Sequence, residues 1–261
     1  MLQPAKTRVL GIVCLLAIAV LGLTAWAPSA PGPAVPDDPA VSTVPVPTPT
    51  YAEHGMVVAA KERAAAAGVA MLEKGGNAVD AAVATGFALA VVHPWAGNIG
   101  GGGFMVIRRP DGSVTTIDHR EDAPSGATQE KFLDEEGNAV RSRSRRGYLA
   151  SGVPGTVAGL LKALEKYGTL DRATVMAPAI RLAREGFPLP YALAEDLNET
   201  YDDFAAFPSA KKYFTKGDST MRYRPGERFV QADLAETLVR IRNQGRAGFY
   251  KGKTAGLIAE Q

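Results

Sequence analysis

The stretch GGNAVDAAVATGFALAVVHPWAGNIGGGGFMV, residues 75–106, joins a nearly all-apolar helix to a run of glycines and the start of a strand. Asn77 can cap a helix over residues 78–92, which ends shortly before a proline. Asp80 and Thr85 are its clearly polar positions, so the pattern predicts a helix that is buried in the core. The helix is too short to span a membrane.

Helix and strand patterns continue on both sides of this stretch. Upstream, residues 59–74 are rich in strong helix formers, and Gly75-Gly76 supplies the left-handed stop that a helix end favours. Downstream, residues 104–109 and 114–120 flank a Pro-Asp-Gly turn and predict a β-hairpin. Alternate residues of its second strand are predicted to share one face: Val114, Thr116, Asp118 and Arg120.

Three more helical patterns follow, at residues 155–167, 171–185 and 232–244, each before a glycine. The order helix, helix, hairpin, helices differs from the βαβ alternation of a parallel sheet. We therefore predict an α+β fold with mixed layers and an antiparallel sheet.

The N-terminal residues predict export. Lys6 and Arg8 precede an apolar run over residues 9–27. Residues 1–27 are therefore either a cleaved signal peptide or an uncleaved membrane anchor. The single cysteine, Cys14, lies inside the apolar run, so we expect no disulfide in the exported part.

A proline-rich linker is predicted after the apolar run. Residues 28–50 hold eight prolines among small residues, a composition that favours extended backbone and cannot bury a core. The folded part is expected to be residues 51–261, in the periplasm or outside the cell.

Composition excludes some function classes. The chain has 261 residues, of which 46% are apolar and 21% charged, as in ordinary globular proteins. The net charge of +2 gives no indication of a nucleic-acid partner. One local basic cluster is either a solvated loop or a rim that attracts an anionic substrate: Arg141, Arg143, Arg145 and Arg146.

Arg120 is the candidate site residue, and two interpretations of it are open. It could form a structural ion pair with Asp118, Glu121 or Asp122. It could instead be a planar fork that its neighbours hold and that binds a carboxylate. The glycines at 100–103 likewise indicate either a tight backbone crossing or a loop that approaches a substrate or a catalytic residue.

Other chemical signatures are missing from the sequence. It contains no G-x-S-x-G nucleophile motif, and its glycine run has no G-x-G-x-x-G spacing. Gly252-Lys253-Thr254 lacks the earlier glycine of a phosphate-binding loop. His54, His93 and His119 show no metal-ligand spacing. We predict neither a metal site nor an organic cofactor.

Several segments, in this order, resemble the N-terminal part of the γ-glutamyltranspeptidase family. They are the opening stretch, DHREDAPSGAT at 118–128, ASGVPGTVAGL at 150–160, MAPAIRLAREGF at 176–187, FVQADLAETLVRI at 229–241 and GFYKGKTAGLIAE at 248–260. The resemblance runs from about Gly55 to the end of the sequence.

This resemblance implies an N-terminal-nucleophile hydrolase, a four-layer αββα sandwich made as a precursor that cleaves itself into a large and a small subunit. It implies γ-glutamyl transfer or hydrolysis on glutathione and related γ-glutamyl compounds. In the D-x-R-E motif of the family the arginine, here Arg120, binds the α-carboxylate of the γ-glutamyl group. The family's glycine-rich segment corresponds to residues 97–103.

The family's nucleophile is a threonine that begins the small subunit, in a Thr-Thr-His or Thr-Ser-His context. Thr115-Thr116 is followed by Ile117 and precedes Arg120, so it is not that nucleophile. We therefore expect no catalytic residue in this chain, which is an incomplete large subunit, inactive alone, whose partner is the small subunit. Two alternatives stay open: an exported inactive scaffold or binding protein of the same fold, and a β-lactam acylase that shares it.

Overall fold

The computed structural model describes residues 48–260, and from Ala52 on they form one compact unit. The predicted signal peptide or anchor, residues 1–27, and most of the predicted linker lie outside the described residues. Within residues 48–260, every helix is too short or too polar to cross a membrane.

The first two helices follow the predicted pattern. Helix α1 covers Glu62–Glu73, slightly shorter than predicted, and Gly75 adopts the left-handed conformation after it with φ of 79°. Helix α2 covers Ala78–Val92, as predicted. The Asn77 side chain accepts hydrogen bonds from the N–H groups of the first turn, which confirms it as the cap.

Asp80 ties the start of α2 to a distant part of the chain. Its carboxylate is fully buried and accepts a hydrogen bond from Asn77 N at 2.7 Å, which completes a capping box. It also accepts hydrogen bonds from the Thr169 hydroxyl at 2.7 Å and from the N–H groups of Thr169 and Leu170. These donors satisfy a charge that would otherwise be costly to bury.

The predicted hairpin is present. Strand β1, Phe104–Arg108, pairs antiparallel with strand β2, Val114–Asp118, and Phe104 lies opposite Asp118. One face of the hairpin packs on the core through Ile107 and Ile117. The predicted alternation is confirmed, because the other face is exposed at all four of the positions named above: Val114, Thr116, Asp118 and Arg120.

The remaining elements are mostly helical. Helices α3, Thr156–Tyr167, and α4, Arg172–Glu185, lie where the sequence predicts them, as does the helix Ala232–Gln244. Short 3₁₀ turns occur at Gln129–Phe132, Arg141–Ser144 and Tyr148–Ala150. After α4 come β3 (Phe187–Pro188), α5 (Tyr191–Glu199), α6 (Tyr201–Ala205), α7 (Pro208–Phe214), β4 (Arg228–Phe229), α8 (Ala232–Gln244), α9 (Ala247–Tyr250) and α10 (Gly252–Ala259).

Helix α2 is the centre of the core. It packs against α1, α3 and α4, and α4 in turn packs against α8. Its side chains Val83, Phe87 and Val91 are fully buried, and burying a side chain of this kind stabilises a fold by about 1.5–3 kcal/mol. Helices combined with antiparallel strand pairs confirm the mixed α+β class.

Candidate substrate-binding site

The candidate site is built on the backbone that follows β2. His119 extends the hairpin ladder, since its N–H donates to Gly103 O at 2.9 Å and its carbonyl accepts from Gly103 N at 3.2 Å. Next to Gly103, a Cβ on Gly102 would lie 2.6 Å from His119 O and 2.8 Å from Arg120 Cα. Glycine at 102 is therefore required by a close approach of two backbones.

Two glycines of a second segment, Gly155 just before helix α3 and Gly159 within it, lie against His119 and Arg120. A Cβ on Gly155 would collide with the carbonyl oxygen of His119 and lie 2.7 Å from that of Arg120. A Cβ on Gly159, one turn later, would collide with the His119 ring. The His119–Arg120 backbone therefore lies in a slot between Gly102 and the glycine face of α3.

The glycine run also anchors α3. Gly101 O accepts hydrogen bonds from the N–H groups of Gly155 at 2.8 Å and Thr156 at 2.9 Å. These donors belong to the start of the helix, where N–H groups lack partners within the helix. The structure thus gives the run the role of a tight crossing at Gly102. At Gly100 it is open, since a Cβ there would be 3.6 Å from the nearest atom, Asn98 Oδ1.

The guanidinium of Arg120 is held loosely while its backbone is fixed. Its side chain is 66% exposed, and its ion pair with Glu121 measures 3.9 Å, near the limit for such a contact. The ring of Phe104 lies 6.0 Å from its Cζ. Within residues 48–260, Arg120 has no ion pair with Asp118 or Asp122 and no side-chain hydrogen bond. The guanidinium is therefore free to bind a carboxylate through two parallel hydrogen bonds.

A cleft of about 320 Å³ borders Arg120. Its walls are the end of β2, residues 153–155, one face of α3, and α9. Three side chains that the sequence analysis did not identify share these walls: Lys162, Arg246 and Tyr250. In the sequence, the two glycines four residues apart in GTVAG, residues 155–159, were a signal that the start of α3 packs closely against another segment of the chain.

Tyr250 is the most constrained of these three. Its hydroxyl donates to Pro154 O at 2.7 Å and accepts from Ala158 N at 3.2 Å. Burial raises the pKa of Tyr250 above its ordinary value, so the hydroxyl stays protonated and able to donate. Arg246 lies over its ring, 5.2 Å from the centroid.

The basic cluster predicted as a loop or a rim is partly used for structure. Arg143 donates to the carbonyl oxygens of Lys131 and Leu133, and Arg146 forms an ion pair with Asp203. Both arginines therefore fasten the irregular segment between the hairpin and α3. Neither lines the cleft beside Arg120.

The threonines that occur in the motifs excluded above have structural roles in the fold. Thr115 and Thr116 lie within β2, opposite Ile107 and Val106. The Thr254 hydroxyl is buried and donates to Gly248 O at 2.8 Å, so it has a structural partner. Over the described range, 48–260, no three His, Cys, Asp or Glu side chains are grouped so that they could hold a metal ion.

Solved structures of two enzymes share this architecture. The γ-glutamyltranspeptidase of Helicobacter pylori is 48% identical, with a TM-score of 0.78 over 82% of this chain and 61% of that one. The cephalosporin acylase of Bacillus halodurans is 29% identical, with a TM-score of 0.70 over 86% of this chain and 42% of that one. Both are members of the N-terminal-nucleophile hydrolase superfamily, and the fold described here is consistent with that class.

Within that class, the chain belongs to the gamma-glutamyltranspeptidase family, whose family model matches residues 64–261. The glutathione hydrolase proenzyme of Pseudomonas sp. strain A14 is 50% identical over 209 residues, which are 79% of this chain and 36% of that protein. The chain thus spans about a third of the length of the curated relatives that it matches.

Proposed function

We propose that this chain is the large-subunit portion of a γ-glutamyl-transferring enzyme that acts on glutathione and related γ-glutamyl compounds, and that Arg120 binds the α-carboxylate of the donor. One observation carries the proposal. The backbone of Arg120 lies in a glycine-lined slot while its guanidinium stays 66% exposed beside a cleft. A fixed backbone with an open fork suits the recognition of a planar carboxylate.

The chemical step requires a residue that this chain does not carry. The nucleophile is a threonine at the start of a small subunit, and its own freed α-amine acts as the base. The threonine oxygen attacks the γ-carbonyl carbon, the donor amine leaves with a proton, and water or an amino acid then releases the γ-glutamyl group.

Arg120 contributes to this reaction by positioning. A bidentate pair with the α-carboxylate anchors one end of the γ-glutamyl group at Arg120 and so limits where the γ-carbonyl can lie. Holding reacting groups in attack geometry is worth about 7–11 kcal/mol of a barrier at the extreme.

The hairpin supports the proposal that further strands complete a four-layer αββα sandwich. On its outer face, Phe104 is 67%, Val106 70% and Val114 60% exposed, and within residues 48–260 β1 and β2 form a sheet of two strands. A two-stranded hairpin that exposes three large apolar side chains is marginally stable on its own in water. Strands from the remaining two-thirds of a precursor, cleaved into two subunits, would cover that face.

For the N-terminal part we propose export to the periplasm or the cell exterior, with residues 1–27 as the signal peptide or anchor and residues 28–50 as the linker. Whether residues 9–27 are retained is tested by fractionating membranes and sequencing the mature N-terminus.

A β-lactam acylase is the second candidate, because the acylase structure above shares the fold. The two functions make different demands on Arg120. A γ-glutamyl donor carries an α-carboxylate on the same glutamyl group whose γ-amide bond is cleaved. An acylase substrate without an α-carboxylate would not be bound by the Arg120 guanidinium in this way.

The experiment compares residues 1–261 alone with the full-length precursor, on a γ-glutamyl anilide and on a cephalosporin with an amide side chain. We expect anilide turnover by the precursor only. Turnover by residues 1–261 alone would contradict the proposal. Cephalosporin cleavage without anilide turnover would favour the acylase, and a matured precursor without either activity would favour the inactive scaffold.

A further inference from the structure

The hydroxyl of Tyr250 bridges two backbone groups at the start of α3. Tyr250 lies 96 residues after Pro154 in the sequence, so this is a long-range contact. It donates to Pro154 O and accepts from Ala158 N. Gly155, which precedes the helix, has no side chain with which to cap it. Tyr250 therefore supplies from α9 the hydrogen bond that a capping side chain ordinarily gives.

The same helix start fixes the backbone of Arg120. Gly155 lies directly against the carbonyl groups of His119 and Arg120, and Gly159 lies against the His119 side chain. The Gly101 carbonyl oxygen accepts hydrogen bonds from the N–H groups of Gly155 and Thr156 at the start of α3. Because the Gly155 contact and the Gly101 hydrogen bonds are between closely packed backbones, a small shift of the first turn of α3 moves the Arg120 backbone as well.

The position of Tyr250 is itself well defined. Its ring is partly buried and lies edge to face with Phe249, at 5.0 Å between centroids. Phe249 is buried, and α9 packs against both α8 and α10. The hydroxyl is thus held by a rigid apolar base, as a positioning residue requires.

We propose that Tyr250 is a positioning residue for Arg120: its hydroxyl holds the first turn of α3, and the glycine face of that turn sets where the arginine fork meets the α-carboxylate of the donor. The inference rests on the proposed function of Arg120. It assigns Tyr250 no contact with the reacting atoms.

Tyr250→Phe is the test variant, because it keeps the ring and removes both hydrogen bonds. Tyr201→Phe is the matched control: it removes a hydroxyl that donates to the Gly217 carbonyl at 3.0 Å, within the α6–α7 region and away from the cleft. Each change is made in the full-length precursor, beside Arg120→Lys. The donors are a γ-glutamyl anilide and its analogue without the α-carboxylate.

For Tyr250→Phe we expect self-cleavage to be intact and KM for the γ-glutamyl anilide to rise about three- to tenfold, the loss that one or two net hydrogen bonds imply. We expect a smaller change in kcat. The preference for the donor with the α-carboxylate should fall by the same factor, whereas Tyr201→Phe should leave the preference unchanged.

Two groups of outcomes separate the inference from its basis. If Arg120→Lys lowers the carboxylate preference but Tyr250→Phe leaves it intact, the inference is wrong and the proposed function stands. The inference is also wrong if Tyr250→Phe affects both donors equally or fails to mature, since the hydroxyl then serves the fold as a whole. If Arg120→Lys leaves the preference unchanged, the proposed function fails and the inference fails with it.

Discussion

Asp118 holds Arg120 by its backbone: Asp118 Oδ1 accepts the Arg120 N–H at 3.0 Å. Asp118, one of the three predicted ion-pair partners of Arg120, therefore shapes the turn after β2 instead. The ion pair that Arg120 does form, with Glu121, is long and partly exposed, and pairs of this kind are worth about 0–1 kcal/mol. The guanidinium consequently remains available for a ligand.

The slot around His119 and Arg120 predicts that alanine substitutions within the glycine run destabilise the fold unequally. Gly102→Ala places a methyl group 2.6 Å from His119 O and 2.8 Å from Arg120 Cα, atoms that cannot move without moving the site. We expect a loss of about 1–3 kcal/mol in the free energy of unfolding. The KM of the full-length precursor for the donor should also rise.

Gly100→Ala is the matched control for that prediction. Its methyl group would have an ordinary contact at 3.6 Å with Asn98, so we expect a change of no more than about 0.5 kcal/mol. Urea unfolding of both variants checks the pair. Equal destabilisation by the two substitutions would mean that the crossing at Gly102 is not the cause.

Asp80 predicts a pH-dependent contribution to stability. Burial acts to raise the pKa of Asp80, but the Thr169 hydroxyl and the N–H groups of Asn77, Leu170 and Thr169 outweigh it and hold the pKa below the ordinary aspartate value of 3.8. A carboxyl with a lower pKa in the folded state stabilises the fold above the unfolded-state value, and this contribution is lost as the pH falls through the folded-state pKa.

Asp80→Asn tests this contribution. At pH 7 the variant should lose about 1–3 kcal/mol in the free energy of unfolding, because an amide offers fewer acceptors to these donors. The deficit should stay constant down to about pH 5 and shrink below about pH 4, because the wild-type carboxyl then binds a proton in the unfolded chain before it does so in the folded one. Asp202→Asn is the control, because Asp202 is exposed on α6. A deficit that is unchanged at pH 3.5 would contradict the prediction.

The exposed hairpin face predicts the behaviour of residues 1–261 when expressed alone. We expect this chain to be poorly soluble, because Phe104, Val106 and Val114 expose apolar side chains on one face of the hairpin. The combined substitutions Phe104→Ser, Val106→Thr and Val114→Thr should raise the soluble fraction severalfold. Tyr191→Ser removes a single aromatic side chain that is 70% exposed at the start of α5, and should have little effect.

Sedimentation and light scattering of the expressed chain check the hairpin prediction. A wild-type chain that is a monodisperse monomer with a sharp cooperative melt would show that the hairpin face needs no cover. The same triple variant in the full-length precursor should reduce maturation, since the face would then lose the apolar contacts proposed for it.

Much of the fold could be predicted from local sequence pattern. The cap at Asn77, the apolar helix α2 and the helix over residues 232–244 each carry their signal within a few turns of chain, and each lies where predicted. The hairpin could be predicted equally well, because its turn residues and its alternation of buried and exposed positions are local features of the sequence.

The features that sequence pattern did not give depend on distant contacts. Strands β3 and β4 have two residues each, and their pairing of Phe187 with Phe229 joins segments far apart in the sequence. The short helices α5, α6 and α7 were not predicted, since none is long enough to show a strong period. The family resemblance led to Arg120, but only packing brings Tyr250 to the same cleft.

The most direct test of the account is the carboxylate preference of Arg120→Lys in the full-length precursor. Lysine keeps the charge but loses the fork that can bind two carboxylate oxygens at once. The measurement is kcat/KM for a γ-glutamyl anilide and for its analogue without the α-carboxylate, beside a gel that resolves the two subunits. We predict a loss of about ten- to a hundredfold for the first donor, little change for the second, and normal self-cleavage. An equal loss for both donors, or failure of self-cleavage, would show that Arg120 is a structural residue and would contradict the account.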